Sequence, residues 1–370
     1  MAKNITDLPF TEIVERSMEL ARLREDVEKK VRGIVNDIYV RDIPQKEDWS
    51  FLIANTAITF IAQSAVGNAT INTGGSTVTF DSTVTIDSAM NGRKIKFANN
   101  DYIYDFSMAG TTAGTIRPTL SGTQNISAGA YAIFQPIYSL PYDFDRFPKN
   151  GGLIRFSGGQ KEQIPEKGYD YYIQNYSPTP SENQSFCRLL GINTAGNQTF
   201  EVVPPPKSAI SAQADYLKKL QPLSETTAGL IGTINAGSTQ VIGDSNTQFT
   251  LARTGDYFRI DNFGTGADSE WYRIIAIQSR SNLTLATAFG LSGATSANYT
   301  ICSAVDLPTM MQPAVLYGTI THITADQDDP MVQVYAQKYA TVLTDGKRVY
   351  KTRIYSPEIP TIAEEYRYRY

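Results

Sequence analysis

The chain has 370 residues, 41% of them hydrophobic and 19% charged, with a formal net charge of −4. That length allows two or three domains with ordinary cores, and the mildly acidic balance argues against a protein whose main task is to wrap nucleic acid. One histidine (His322) and two cysteines (Cys187, Cys302) leave no material for a multi-histidine metal site or a disulfide framework.

Met1-Ala2-Lys3-Asn4 leads straight into polar residues, so no signal peptide is expected. Residues 7–43 read as helical, with Thr11 capping a first helix along Val14, Met18 and Ala21. Val27, Val31, Ile34, Val35 and Ile38 stand at i, i+4, i+7, i+8 and i+11, one face at the 3.6-residue period. Glu25, Asp26 and Glu28 precede Lys29, Lys30 and Arg32, the order the helix dipole favours. Gly33 is a weak point or a place of close helix approach, and Pro44 is expected to end the helix before an apolar anchor at Trp49-Ser50-Phe51-Leu52.

A β-module then occurs twice, at about 67–141 and 232–308. Asn72-Thr73-Gly74-Gly75-Ser76 corresponds to Asn235-Ala236-Gly237-Ser238. Short strands are expected at 81–85 and 244–250. Gly92-Arg93-Lys94-Ile95-Lys96-Phe97 matches Gly255-Asp256-Tyr257-Phe258-Arg259-Ile260, and Ala130-Tyr131-Ala132-Ile133 matches Asn298-Tyr299-Thr300-Ile301. Both copies exit at Leu-Pro, Leu140-Pro141 and Leu307-Pro308. Short Thr/Val/Ile runs divided by Gly, Asn and Ser predict a small antiparallel barrel or sandwich. Tyr102, Tyr104, Trp271 and Tyr272 hold corresponding places and are assigned to the core rather than to a contact surface.

Residues 138–226 read as a β-rich segment that contains Tyr169, Tyr171, Tyr172 and Tyr176, with a loop at Pro178 and Pro180. Within them 188–192 and 199–203 pair around an Asn193-to-Asn197 turn, and 214–220 form a further strand or edge. After the second module helices return. Pro308 is read in the first turn of one, with Met311, Val315, Ile320 and Ile323 on its face. Asp329-Pro330 starts the next, in which Met331, Val332, Tyr335, Tyr339, Val342 and Leu343 recur every three to four residues before Gly346 closes it. The remainder mixes Pro357 and Pro360 with Tyr350, Tyr355, Tyr366, Tyr368 and Tyr370 and with Lys351, Arg353, Arg367 and Arg369. Such a segment reads as an extended arm that docks on another chain.

The expected fold class is α+β: a helical bundle core from N- and C-terminal helices, a β-rich middle and two inserted antiparallel β-modules. In residue terms these are helices 1–55, module one 56–137, the middle 138–227, module two 228–304, helices 305–347 and an arm 348–370.

Catalytic chemistry finds no support. Gly151-Gly152 and Gly158-Gly159 lack the strand-Gly-helix setting of a dinucleotide fingerprint, and neither Gly-x-Ser-x-Gly nor Cys-x-x-Cys is present. Asp326-Gln327-Asp328-Asp329 lacks the glycine and distal glutamate of a calcium loop and reads as an N-cap cluster. Asp101 with Asp105 and Asp143 with Asp145 read as solvated or turn-forming rather than as glycosidase carboxylates. Lys94 and Lys96 share one strand face, where a solvated role outweighs phosphate contact. The expectation is a non-enzyme with no cofactor and no metal.

With the modules set aside, the order of parts resembles the head-to-tail adaptor proteins of tailed bacteriophages. Helices at 27–38 precede Trp49. Tyr138-x-Leu140-Pro141-x-Asp143-Phe144 is similar to the family's entry signature, Phe200-Glu201-Val202-Val203-Pro204-Pro205-Pro206 to its strand-then-proline step, and 214–223 to the step after it. Helices at 308–323 and 330–343 and the arm complete the order, which covers about half the chain; the two β-modules depart from it. The resemblance implies a virion protein assembled in the host cytoplasm. It would form a ring of about twelve copies between the portal protein and the tail tube or nozzle protein, with genomic DNA passing through without sequence-specific binding and with no membrane involved. It assigns Tyr350, Arg353, Tyr355, Tyr366, Arg367, Tyr368, Arg369 and Tyr370 to portal docking. Val27, Val31, Ile34, Val35, Ile38, Tyr335, Tyr339, Val342 and Leu343 become bundle or intersubunit helix residues. Tail fibres are potential partners of the modules. The alternative is a tail-fibre, collar or baseplate component whose modules bind fibres or carbohydrate; the long helices fit it less well.

Overall fold

A computed structural model describes residues 8–351, apart from 82–83, 99, 123, 150, 158–159, 231–232, 235–237, 246, 261–270, 290–293, 296–297 and 326–330. The fold is mixed α and β with sheet predominating. The chain divides into two compact units, one made of 1–51 and 220–370, the other of 52–219.

In the first unit, Phe10–Leu20 (α1) buries Phe10, Thr11, Ile13, Val14 and Ser17. It ends where Arg22 takes a left-handed φ of 52° and Leu23 N–H returns to Met18 O. Glu28–Asp37 (α2) buries Val31 and Val35, and helical structure continues through a π-turn at Ile38–Asp42 into Ile43–Gln45 (α3). Pro44 therefore does not end the helix as expected. It lies in the first turn of a new segment, where its missing N–H has no partner to lose.

The late helices also begin and end differently from the expectation. Pro308 lies before the helix, its carbonyl accepting from Met311 N–H (2.7 Å) and Gln312 N–H (3.2 Å), and Pro313 occupies the first turn of Gln312–Thr324 (labelled α5; the second unit contains α4). Gly346 sits inside Met331–Tyr350 (α6) rather than closing it. A Cβ there would lie 2.1 Å from Met311 Sδ, so glycine is used for a close approach and not for a stop. Gly33 makes no such approach, since nothing lies within 4 Å of its Cβ position. α5 packs against α1, α2 and α6, and α1 against α2.

Module two belongs to this unit. Its sheet runs, in spatial order, through Ala294–Thr295, Thr233–Ile234, Gln240–Ile242, Asn282–Leu285, Tyr272–Ile277, Tyr257–Ile260, Asn298–Cys302 and Glu225–Leu230. Phe249, Phe258, Tyr299, Ile274 and Leu283 are among its buried core.

The second unit holds the β-rich middle and module one. Ile53–Phe60 pairs antiparallel with Ile210–Lys218 over eight register steps, from Ile53↔Leu217 to Phe60↔Ile210. Gly152–Ser157, Gln160–Pro165 and Phe144–Arg146 complete that sheet. A second sheet joins Phe186–Ile192, Gln198–Val203 and Ile137–Ser139. Its hairpin follows the turn chemistry read from the sequence: Asn193 Oδ1 accepts from Ala195 and Asn197 N–H, and Gly196 takes a φ of 83°. Tyr169–Asn175 is a helix (α4), not a strand. Its tyrosines stack at helical spacing, Tyr169 on Tyr172 at 6.2 Å and Tyr172 on Tyr176 at 4.9 Å.

Module one repeats the strand order of module two. Ile126–Gly129, Ala69–Ile71, Thr77–Phe80, Ala113–Arg117, Ile103–Gly110, Lys94–Phe97 and Tyr131–Phe134 are neighbours in that sequence. In module one the two ends of this path come from nearly continuous chain, 126–134. One kinked run thus contributes both edges there, which requires the sheet to curl towards a barrel. The register is shared as well. Ile95 faces Tyr104 and Ile133, as Phe258 faces Tyr272 and Ile301. Gly92 and Gly255 both have positive φ (77° and 103°). Each donates its N–H to the neighbouring strand, to Phe106 O (3.0 Å) and Ile274 O (2.8 Å) respectively.

Two details differ from the sequence reading. The described parts of 81–85 and 244–250 are not strands; they lead into 3₁₀ turns at Ser88–Met90 and Phe249–Leu251. The opening motif at 235–237 lies outside the described residues. Tyr104 and Tyr272 are core residues, whereas Tyr102 is 60% exposed and Trp271 is half-buried under the Arg259 guanidinium at 4.4 Å. The modules also differ at one edge. Where module two carries the strand Glu225–Leu230, module one has only Ser64, bonded both ways to Ile133 at 2.8 Å.

Candidate assembly surface

The helical residues singled out in the sequence divide by burial. Val31, Val35, Ile38, Tyr335 and Leu343 are buried in their own chain, while Val27, Ile34, Tyr339 and Val342 are half-buried. The fit between α5 and its neighbours rests on a small residue. A Cβ on Gly318 would stand 3.0 Å from Ile38 Cγ2 and 3.1 Å from Tyr339 Cε2, so glycine lets α5 meet both the π-turn and α6. Tyr339 donates its hydroxyl to Asp42 Oδ2 in a short hydrogen bond. Burial alone would raise the Asp42 carboxyl, but that bond and Lys46, at 2.9 Å, outweigh it and hold the group below its ordinary value.

α5 is buried along most of its length, whereas α6 buries only Tyr335, Leu343 and Gly346. The outer side of α6 leaves Met331 (44%), Val334 (40%) and Val349 (58%) exposed. Periodicity showed that α6 was amphipathic; it did not show that apolar side chains would also remain on its outer side.

The C-terminal end of α6 is fastened. Trp49 is fully buried and donates Nε1–H to Ile43 O at 2.7 Å. Phe51 stacks on Trp49 at 5.7 Å and meets Tyr350 edge-on at 5.6 Å. Glu47 pairs with Lys351 (3.3 Å) and Lys347 (3.8 Å), and Lys351 forms an antiparallel bridge with Trp49. The clamp thus gathers Tyr350, which the sequence assigned to docking, with Trp49 and Phe51, which it read only as an apolar anchor. Arg353, Tyr355, Tyr366, Arg367, Tyr368, Arg369 and Tyr370 lie outside the described residues, as does the Asp326-to-Asp329 cluster.

Some of the residues singled out in the sequence have burial or side-chain partners in the structure. Cys187 and Cys302 are buried free thiols, pushed up to about 12 and about 11 by burial. Asp143 accepts from the Tyr216 hydroxyl at 2.8 Å, and Lys94 pairs with Asp105 at 2.5 Å. No group of three or more potential metal ligands occurs among the described residues. No helix is long and apolar enough to cross a membrane among those residues.

No family model and no curated protein matches the chain. Among solved structures, translation elongation factor SelB from Methanococcus maripaludis matches in its apo form and in complex with the GTP analogue GPPNHP, at 11% and 10% identity and a TM-score of 0.16 in both cases. The alignments cover 68% of this chain and 63% and 62% of those chains, less than two thirds of SelB's own length. At that TM-score the likeness carries no argument about fold or function.

Proposed function

We propose that the chain is a structural virion protein, a head-to-tail adaptor. Its ring would stand between portal protein and tail tube or nozzle and line the DNA exit channel. The finer fold reading belongs to the same proposal: the N- and C-terminal helices form the subunit's bundle core, and the β-modules are insertions. The observation that carries it is the fastened end of α6. Glu47, Trp49 and Phe51 hold Tyr350 and Lys351 in place, so the root that precedes the Tyr/Arg-rich sequence 352–370 is fixed. A fixed root aims a binding segment and reduces the freedom lost on docking. The apolar side chains on the outer side of α6 supply a surface for a neighbouring copy.

The test is electron microscopy of the purified chain, alone and with its portal protein. The reading expects class averages of a closed ring with an axial hole. A trimeric spike, or a monomer that never binds portal, defeats it. A form lacking 357–370 should keep its circular dichroism spectrum and lose portal binding; unchanged binding removes the docking role of the arm.

A further inference from the structure

Within the second unit, three elements converge on a cavity of about 260 Å³. Module one supplies Lys94 and Phe134, α4 supplies Tyr172 and Tyr176, and the three-stranded sheet supplies Arg188 and Glu201. Arg188 and Glu201 face each other across the hairpin and are paired through Nε (2.8 Å) and Nη2 (2.7 Å). Taken alone that is an ordinary cross-strand ion pair. Its surroundings are less ordinary. The guanidinium lies 3.3 Å over the Tyr172 ring, Glu201 is only 7% exposed, and the pair faces a partly open hollow.

The lining selects by charge and by hydrogen bonding. Lys94 is matched by Asp105 and Arg188 by Glu201, so the wall carries no surplus charge to attract an ionic ligand. Directional groups remain. Both guanidinium bonds land on Glu201 Oε2, leaving Oε1 as an acceptor beside the other N–H donors of Arg188. Adjacent donors and acceptors match adjacent hydroxyl groups, each of which both gives and takes a hydrogen bond. The phenols of Tyr172 and Tyr176 are hydrogen-bonded to each other, Tyr176 donating, which leaves the Tyr172 O–H as a donor and the Tyr176 oxygen as an acceptor. Burial pushes the Tyr176 phenol far above its ordinary range, so it stays neutral. Ile137, paired with Glu201 on the same sheet, and Leu190 form apolar wall for a C–H face, with the buried Phe134 behind them. The volume falls below the ~300 Å³ lower end of drug-sized sites, which limits the occupant to one small unit.

We propose that this cavity binds one neutral saccharide unit, its vicinal hydroxyls on Arg188 and Glu201 and its apolar face against Ile137 and Leu190. This does not rest on the adaptor reading; a ring protein or a fibre protein could carry such a site. The test is saturation-transfer NMR on the full chain with glucose, galactose, mannose, rhamnose and N-acetylglucosamine, alongside glucuronate and glucosamine. At least one neutral sugar should receive saturation and outcompete both charged ones. Tyr176→Phe removes a single hydroxyl and should weaken binding about tenfold, one hydrogen bond's worth. Leu190→Trp fills the hollow while leaving every polar group in place, and should abolish binding; thermal unfolding of both variants reports that they remain folded. Silence from all the neutral sugars, preference for a charged one, or undiminished binding in Leu190→Trp overturns the assignment.

Discussion

Ser17 on α1 and Thr319 on α5 bury hydroxyls that meet no hydrogen-bond partner among the described residues. An unsatisfied buried hydroxyl costs about 1–3 kcal/mol. Thr319→Val keeps the shape of the side chain and should therefore stabilise the first unit by about 1 kcal/mol; a higher urea midpoint with an unchanged slope checks it. Glycine substitutions test the packing from the other side. Gly33→Ala adds a Cβ into open space on a helix and should gain about 0.5–1 kcal/mol. Gly346→Ala drives a Cβ into the fully buried Met311 side chain and should lose about 1–3 kcal/mol. From the sequence, Gly33 reads as a weak point or a place of close helix approach and Gly346 as a helix stop. What separates them is the side chain that a neighbouring element brings up, here Met311 from just before α5, and local pattern holds no record of that.

At the scale of elements, the period-3.6 face at 27–38 and the late helix were legible because local pattern determines them. The short helix at Tyr169–Asn175 was not legible within a segment read as β-rich, because seven residues give too little helical period to stand out. The pairing of Ile53–Phe60 with Ile210–Lys218 was not legible, since nothing local links segments so far apart in sequence. One such long-range seam makes a pH prediction. Glu225, at the root of module two's extra strand, accepts from Thr11 Oγ1 (2.6 Å) on α1 and Arg32 Nη2 (2.7 Å) on α2. Burial would raise its carboxyl, but these hydrogen bonds and the Arg32 charge bring it below its ordinary value. A depressed folded-state value means the stabilisation is present above the ordinary carboxylate range. It is lost as pH falls through that range and then through the folded value. Glu225→Gln should cost about 1–2 kcal/mol at neutral pH, and its deficit against the parent should shrink below roughly pH 4. Denaturant midpoints across pH check it; a deficit independent of pH would assign the seam to packing rather than to charge.

Across the whole chain, the same strand order, the same paired register and the same positive-φ glycine before an equivalent strand appear once in each compact unit. The sequence showed this repeat because the glycine and the alternating strand after it are local signals; it did not show how each copy is tied to its host. The ends of module one lie close together: Phe60 and Tyr138 pack at 5.0 Å, and Ile61 N–H reaches the Tyr138 hydroxyl at 3.2 Å. Module two also begins and ends at one place, with Ser303 N–H on Ser224 O at 2.9 Å. Its last strand, however, packs Cys302 against Thr11, and Glu225 accepts from Thr11 and Arg32, so it is joined to the helical part by side chains as well as by its ends. Whole domains insert where their ends are adjacent and few other contacts cross. Replacing 62–135 with a short Gly/Ser linker should therefore leave the rest of the chain folding cooperatively, while the same operation on 225–302 should cost far more. On the adaptor reading the first deletion should also still yield rings by electron microscopy, because the helices and the fastened arm root are untouched. It removes Lys94 and Phe134 from the saccharide cavity, so sugar binding should disappear even as rings persist. A first deletion that fails to fold would show that module one is integral to its unit. Folded subunits that no longer assemble would move ring contacts from α6 to the module.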